Sequence, residues 1–306
     1  MLKQRLVTLW AAGLVLLSAA GSYAQEAITP PTLGDFDPAA LEDIDPADFP
    51  LLPALTERAN AIFEQGQALD VPRDPHVFSK VGDSMTASEH FLVDFGNGDY
   101  DLGEYTELQA VVDFFAVSDV NAFNRENYAN ALGFSTASAL DTTWAIADEC
   151  APNETPLGCE YREANAAFAL IMFGTNDVMA FDAMLFDYFM RLVVIETVNA
   201  NVVPILYTMP IRPEAPELSA TFNQIILNIA TDYDLPVINL LLALEPLPNY
   251  GVDLEDTLHL TTPEAPDNAA TFTESGLSAG YTVRNLVTVQ ALNALLTELD
   301  LLSEDQ

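Results

Sequence analysis

Four strand-like runs, rich in apolar residues, most constrain how this chain can fold. Every residue of the run Ala167–Phe173 is apolar, and the other three runs are 76–81, 201–207 and 235–240. Continuous apolar strands, without the alternation of a half-exposed sheet, are typical of parallel sheets that are buried on both faces. The sequence therefore predicts a parallel sheet, with functional residues at the carboxyl ends of its strands.

Helical patterns separate these runs and supply the layers that would cover the sheet. Apolar residues recur at helical spacing in the segments 180–200 and 217–233, and again in a last helix from about 279 to 299. Alternating strands and helices favour an α/β architecture. We expect one large α/β domain over residues 54–306, because a chain of 306 residues suits one such domain better than two small ones.

The amino-terminal part of the chain has a different composition. Residues 1–24 have the form of a signal peptide, with Lys3 and Arg5 before a short apolar run and small residues before a cleavage site after Ala24. An uncleaved anchor is the alternative. Residues 25–53 are rich in Pro, Asp and Ala, which predicts an extended leader or linker. We expect a secreted, extracellular or periplasmic protein without a membrane span in its mature form.

The charge balance excludes one large class of partners. Asp and Glu number 46 against 10 Lys and Arg, for a formal net charge of -36. Such a surface repels phosphate backbones, which argues against a nucleic-acid partner. The only cysteines, Cys150 and Cys159, are expected to pair and close a short structural loop in an oxidising compartment. Neither they nor the three scattered histidines suggest a metal site, and no cofactor is predicted.

Ser84 is the first residue whose surroundings suggest chemistry. It ends the triplet Gly82-Asp83-Ser84, close behind the first strand-like run. A glycine there permits a tight strand-to-helix turn, and such a turn presents a hydroxyl at the edge of a sheet. A serine that only caps the next helix has the same local pattern, so this segment alone leaves both interpretations open.

His259 is the histidine best placed to serve that hydroxyl as a base. It follows Asp256 by three residues, after the last strand-like run. An aspartate can hold one ring nitrogen of a histidine and leave the other free to accept a proton. His76 opens a strand-like run and His90 lies in a helix-like stretch, where each is interpreted as a surface residue without a role.

Two further segments place glycine or amide groups near strand ends. The turn 174–177, Gly-Thr-Asn-Asp, closes the most apolar run. Its polar residues either cap the following helix or direct the Asn176 amide at a developing negative charge. Gly133 offers an unhindered backbone N–H to the same charge, or ends a helix.

Taken in chain order, the four segments resemble the sequence blocks of the SGNH/GDSL hydrolase superfamily, the GDSL-like lipases and esterases, as in a secreted bacterial-type member. The residues that carry the resemblance are Gly82 to Ser84, Gly133, Gly174 to Asp177, and Asp256 with His259. Thr257 departs from the pattern, because relatives often have glycine there. The resemblance covers residues 72–299 and implies a three-layer α/β/α sandwich, flavodoxin-like, with a parallel sheet of about five strands.

The resemblance also implies a mechanism. Ser84 would attack an ester carbonyl, His259 would act as general base and then as general acid, and Asp256 would orient the imidazole. The oxyanion hole would consist of the backbone N–H groups of Ser84 and Gly133 and the side chain of Asn176. The supporting residues would be Asp83, Gly174 and Asp177. The implied enzyme is a carboxylic ester hydrolase that forms an acyl-enzyme and needs neither a metal nor an organic cofactor.

The motifs leave the substrate open. It would be a lipid, an acetylated sugar, a polysaccharide ester or another small ester, and the insertions 88–130 and 135–165 are expected to shape its pocket. Aromatic residues of the first insertion, Phe91 and Phe95 among them, contact the substrate or pack in the core. The alternative functions are an acyltransferase with the same acyl-enzyme and a non-catalytic carbohydrate-binding or surface protein with the same fold.

Overall fold

The computed structural model describes residues 28–302, where a parallel sheet lies between two layers of helices. Its strands are β1 (Asp74–Gly82), β2 (Ala166–Met172), β3 (Val203–Tyr207) and β4 (Val237–Ile238), side by side in that order. All three pairings are parallel, and every residue of the two central strands is buried. The predicted α/β sandwich is confirmed, and each strand-like run corresponds to one strand.

The sheet has four strands in the described residues, where about five were expected, and the free edge of β1 explains the difference. Only an isolated parallel bridge forms there, between Gly82 and Asn130, and the Gly82 N–H donates to the Ala129 carbonyl. The Asn130 side chain donates to the Lys80 carbonyl and occupies an acceptor that a longer strand would use. The fifth strand is therefore reduced to a bridge at Asn130. With this bridge at the outer edge of β1, the segment that follows β1 in the chain comes first in the sheet, as in a flavodoxin-like strand order.

The helices come from the predicted segments and from shorter turns between them. The α-helices of residues 28–302 are α1 (Glu57–Gln67), α2 (Ser84–Ala87), α3 (Val93–Asn97), α4 (Gln109–Phe115), α5 (Thr136–Leu140), α6 (Pro156–Ala164), α7 (Ala183–Asn199), α8 (Pro216–Asp232), α9 (Leu240–Leu244) and α10 (Gly280–Glu298). Side chains that accept the first free N–H groups start several of them. Thr56, Thr155 and Asp182 do so for α1, α6 and α7.

The two helical layers follow from right-handed connections between parallel strands. Helices α5 to α8 lie on one face, where α7 and α8 stack through Phe186 and Phe222. On the other face, Phe63 of α1 and Phe115 of α4 pack against Phe168 of β2, and α10 packs beside α4. The sheet is thus buried on both sides, and its carboxyl edge is left to the loops.

The aromatic residues of the insertion 88–130 belong mainly to the core. Phe91, Phe95 and Phe115 have almost no exposed surface, and Phe95 contacts the ring of Phe123. Of the two interpretations left open by the sequence, core packing therefore applies to these three side chains.

Residues 28–53 lie against the domain in short 3₁₀ turns, at Leu33–Asp35, Pro38–Leu41 and Pro46–Asp48. Gln224 of α8 donates to two carbonyls of this leader, and Asn239 donates to a third. The predicted signal peptide, residues 1–24, lies outside the described residues. None of the helices in residues 28–302 combines the length and the apolarity that a bilayer crossing demands.

Candidate active site

The turn between β1 and α2 presents the Ser84 hydroxyl at the carboxyl edge of the sheet. The residue that caps α2 is Asp83, whose Oδ1 accepts a hydrogen bond of 2.9 Å from Met85 N. Ser84 is the first helical residue, so the interpretation of Ser84 as a helix cap is wrong. The turn needs glycine at position 82, because a Cβ there would overlap the Met172 carbonyl and the Thr86 hydroxyl.

A continuous chain of hydrogen bonds joins three of the predicted site residues. The Ser84 hydroxyl lies 2.8 Å from Nε2 of His259, and Nδ1 of His259 lies 2.7 Å from Oδ2 of Asp256. Ser84 and His259 are 175 residues apart in the chain. Of the three histidines, His259 alone contacts Ser84 in the described residues. His76 contacts the carbonyl of Phe114 instead, and His90 packs on Tyr281.

His259 and Asp256 lie on a loop, residues 253–259, that we call the acid–base loop. Its ends meet at an antiparallel bridge between Val252 and Leu260, and Asp256 Oδ1 accepts from the backbone N–H groups of Leu258 and His259. Partial burial raises the pKa of Asp256, but the hydrogen bonds from the side chain and backbone of His259 outweigh it and hold the pKa below its usual value. Asp256 is therefore ionised at neutral pH and can stabilise a protonated imidazole.

The turn after β2 carries Asn176 on a buried support. Asp177 accepts from the backbone and hydroxyl of Thr136 through Oδ1, and from Gly174 N through Oδ2. Burial raises the Asp177 pKa to about 6, although these hydrogen bonds act in the opposite direction. Gly174 has a φ of +127°, a backbone conformation that residues with a side chain rarely adopt, and a Cβ there would also press on the sulfur of Met209, so this turn favours glycine.

The side chain of Asn176 is oriented by a neighbouring carbonyl. Its Nδ2 donates to Phe134 O at 2.8 Å, which occupies one N–H of the amide and leaves the second for a ligand. Gly133 directly precedes Phe134 in an exposed turn, where Phe134 N donates to Ala131 O and Gly133 has a φ of +78°. Gly133 therefore does not end a helix, and the structure explains it as the left-handed residue of a tight turn.

Arg284 of α10 lies beneath residues 82–87, which we call the nucleophile turn, and the sequence patterns missed it. Its guanidinium donates to Met85 O and to the Thr86 hydroxyl, and it stacks 3.7 Å from the ring centroid of Phe91. Burial raises the pKa of Asp83 to about 6, against the lowering effects of the Met85 N–H and the Arg284 charge. One signal was available, since Arg284 is the only charged residue in the stretch 279–297.

A cavity of about 390 Å³ opens one helical turn from Ser84, beside Ala87. Both insertions contribute to its wall, through residues such as Val93, Arg125, Tyr128 and Ile146. Lys80 also lines the cavity, where its ammonium donates to Phe123 O and burial lowers its pKa to about 8. The cavity therefore combines charged, amide and apolar groups next to the nucleophile turn.

The two cysteines lie outside this site. Cys150 and Cys159 form a disulfide bond that joins the loop before α6 to the helix itself. Together with Glu154 they form the one group of metal-ligating side chains found in residues 28–302. Because the two sulfurs are bonded to each other, this group does not offer a set of thiolate ligands.

Comparison with known proteins gives similarities at the level of the fold. No protein-family model and no curated protein matches the sequence. The structure is similar to the psychrotrophic esterase EstA from Pseudoalteromonas, with 16% identity, a TM-score of 0.46, and coverage of 74% of this chain and 99% of the esterase. It is also similar to the acetylxylan esterase Axe2 from Geobacillus stearothermophilus, with 14% identity, a TM-score of 0.45, and coverage of 71% and 92%.

A GDSL-like lipase from Bacteroides thetaiotaomicron shows a weaker similarity, with 14% identity, a TM-score of 0.36, and coverage of 78% of this chain and 98% of the lipase. The roles of individual residues rest on the contacts within this chain.

Proposed function

We propose that this chain is a serine ester hydrolase of the SGNH/GDSL type, with Ser84 as nucleophile, His259 as general base and Asp256 as the residue that orients the base. The supporting observation is the unbroken hydrogen-bond chain from the Ser84 hydroxyl through both ring nitrogens of His259 to Asp256. A serine hydroxyl is a weak nucleophile until a neighbouring base removes its proton. This arrangement supplies such a base and fixes its tautomer.

In the proposed reaction, His259 Nε2 takes the hydroxyl proton while Ser84 Oγ bonds to the ester carbonyl carbon. The imidazolium then gives that proton to the leaving alcohol, and the carbon–oxygen bond of the ester breaks. Water, deprotonated by the same nitrogen, then attacks the acyl carbon, the bond from that carbon to Ser84 Oγ breaks, and the imidazolium returns its proton to Ser84 as the acid is released. Asp256 remains ionised throughout and stabilises the imidazolium.

The negative charge that forms on the carbonyl oxygen has candidate donors nearby. In the described residues, the backbone N–H of Ser84 donates to no protein acceptor, nor does that of Gly133. The second N–H of the Asn176 amide is also free, while Phe134 O holds the first. We infer that these three groups form the oxyanion hole, because donors fixed in advance stabilise charge without reorganisation.

The proposed substrate is a carboxylic ester small enough for part of it to enter the cavity beside Ala87. The cavity has a volume of about 390 Å³, which lies within the range of small-ligand pockets.

We further propose that residues 1–24 direct export and are removed after Ala24, that residues 25–53 form a leader, and that residues 54–306 form the hydrolase domain.

Hydrolysis of a p-nitrophenyl acetate ester by the purified protein tests the nucleophile. Replacement of Ser84 by Ala is expected to lower kcat by about 10⁴-fold or more, because the attacking atom is lost. Ser118→Ala, which changes an exposed serine in the loop after α4, is the matched control and should leave kcat unchanged. Full activity of the Ser84→Ala variant would show that Ser84 is not the nucleophile.

A substrate series then tests the class of ester. Esters of increasing acyl length, run beside acetylated xylan, should show a preference for short acyl groups, because the cavity is small. Addition of a sugar alcohol separates hydrolysis from transfer, since an acyltransferase would form a new ester in place of the free acid.

A further inference from the structure

A chain of polar contacts at the rim of the site joins the Asn176 turn to the acid–base loop. Arg212 donates to Thr175 O at 2.7 Å and to Glu214 Oε2 at 3.2 Å. The other oxygen of Glu214 accepts a hydrogen bond of 2.5 Å from the Thr257 hydroxyl. We propose that Glu214 and Thr257 are positioning residues that hold the acid–base loop against Ser84, a role that rests on the proposed function.

The acid–base loop has little else to hold it. Apart from the contact of His259 with Ser84, its other hydrogen bonds are internal: Asp253 accepts from the backbone of the loop, and Asp256 accepts from Leu258 and His259. Among the described residues, the bond from Thr257 to Glu214 and the contact of His259 with Ser84 are the only hydrogen bonds between the acid–base loop and the rest of the chain. The side chain of Asp256 is 44% exposed, so core packing does not restrain the loop either.

Glu214 is a suitable anchor because its own segment is fastened to α8. Both backbone groups of Met209 bond to the side chain of Asn223, which is fully buried. Further along, Arg212 N donates to the hydroxyl of Ser219, another buried residue of α8. The contact with Thr257 therefore ties an exposed loop to a rigid element.

The backbone at position 257 supports a role for the hydroxyl. Thr257 has a φ of +57°, in the left-handed region where glycine is favoured and a β-branched residue is unusual. Backbone preference alone would thus select glycine. A glycine has no side chain to bond with Glu214, so the hydroxyl gives a physical reason for threonine at this strained position.

Loss of this contact should impair the chemical step more than substrate binding. Thr257 directly follows Asp256, which positions the imidazole, and a shift of the loop would lengthen the contact of 2.8 Å between His259 and Ser84. Proton transfer depends steeply on this distance, so the chemical step should slow. The cavity that would receive substrate lies beside α2 and contains no residue of the acid–base loop, so substrate binding should change little.

Replacement of Thr257 by Val tests the role, because valine keeps the shape and removes the hydroxyl. We expect kcat for an acetate ester to fall about 3- to 10-fold, the effect of one net hydrogen bond, with KM unchanged. Phosphonylation of Ser84 by an activated phosphonate ester should slow by the same factor, since it reports the reactivity of the nucleophile. Thr257→Ser keeps the hydroxyl and should retain most of kcat.

Glu214→Ala removes the acceptor and should reproduce the effect of Thr257→Val, and the double variant should be no worse than either single variant. Thr221→Val, which removes an exposed threonine hydroxyl on α8, is the control and should not change kcat. Unchanged kcat in Thr257→Val, an equal loss in Thr257→Ser, or fully additive effects of the two positions would each overturn the proposal. If the unaltered protein hydrolyses no ester, the proposed function itself fails.

Discussion

The nucleophile turn, residues 82–87, is supported by buried charged groups, whereas the acid–base loop that meets it lies in solvent. Asp83 within the turn and Arg284 beneath it are almost completely buried, and Arg284 bonds directly to the backbone of Met85, next to Ser84. The side chains of Asp256 and His259 are 44% and 32% exposed, and local hydrogen bonds shape their loop. Ser84, the proposed nucleophile, is therefore part of the folded core, and His259, the proposed base, is brought to it by a surface loop.

This contrast predicts that damage to the two regions will have different consequences. Changes in the acid–base loop should remove activity and leave the free energy of unfolding nearly unchanged. Changes beneath the nucleophile turn should lower both, because the charged groups there are desolvated and depend on one another.

Within the acid–base loop, the largest effect on activity is expected from replacement of His259 by Ala. The value of kcat/KM should fall about 10⁴-fold, because the base is lost, while the melting temperature stays close to that of the unaltered protein. His76→Ala, at the amino end of β1, should keep full activity. A marked loss of stability in His259→Ala would contradict the view of the loop as an independent surface element.

Replacement of Arg284 by Met should have the largest effect on stability. The change removes two hydrogen bonds to the nucleophile turn and the positive charge near Asp83, so we expect the free energy of unfolding in urea to fall by about 2–4 kcal/mol. Activity should fall with it, since Ser84 loses its support. Arg284→Lys keeps a charge without the planar fork and should recover only part of the loss. A stable but inactive Arg284→Met variant would show that the support beneath the nucleophile turn does not contribute to stability, and the predicted difference between the two regions would be wrong.

The smallest effect concerns the dependence of stability on pH. Because burial raises the Asp83 pKa to about 6, the folded state binds this proton more tightly than the unfolded chain does. The stabilisation that results is present in acid and is lost as the pH rises through about 6. Between about pH 5 and pH 8, the free energy of unfolding of Asp83→Asn should therefore fall by about 1 kcal/mol less than that of the unaltered protein.

Repulsion within so acidic a protein also grows as the pH rises, and a charge-matched control separates the two effects. Asp119→Asn removes one carboxylate from the exposed surface and should leave the slope of stability against pH almost unchanged. Equal slopes of stability against pH in the Asp83→Asn and Asp119→Asn variants would show that Asp83 does not bind a proton more tightly in the folded state.

Much of the fold was predictable because it depends on local patterns. The all-apolar run at 167–173 had to become a strand covered on both faces, and it is β2, Ala166–Met172. The fifth strand was not predictable, since its reduction to a bridge depends on how the Asn130 side chain bonds to β1. The buried position of Arg284 was also hidden, because the pattern of a helix does not show which tertiary contact satisfies a charge.

By itself, the sequence determined which groups capable of chemistry exist and at which strand ends they stand. Gly82 permits its turn because a Cβ has no room there, and Gly174 because its φ is positive; the Asp256-to-His259 spacing lets one carboxylate hold both the loop and the imidazole. Only the tertiary structure decided that His259 meets Ser84 across 175 residues. The physical reason is that parallel strands bring their carboxyl ends to one edge, while contacts such as that of Thr257 with Glu214 fix where each loop lies along it.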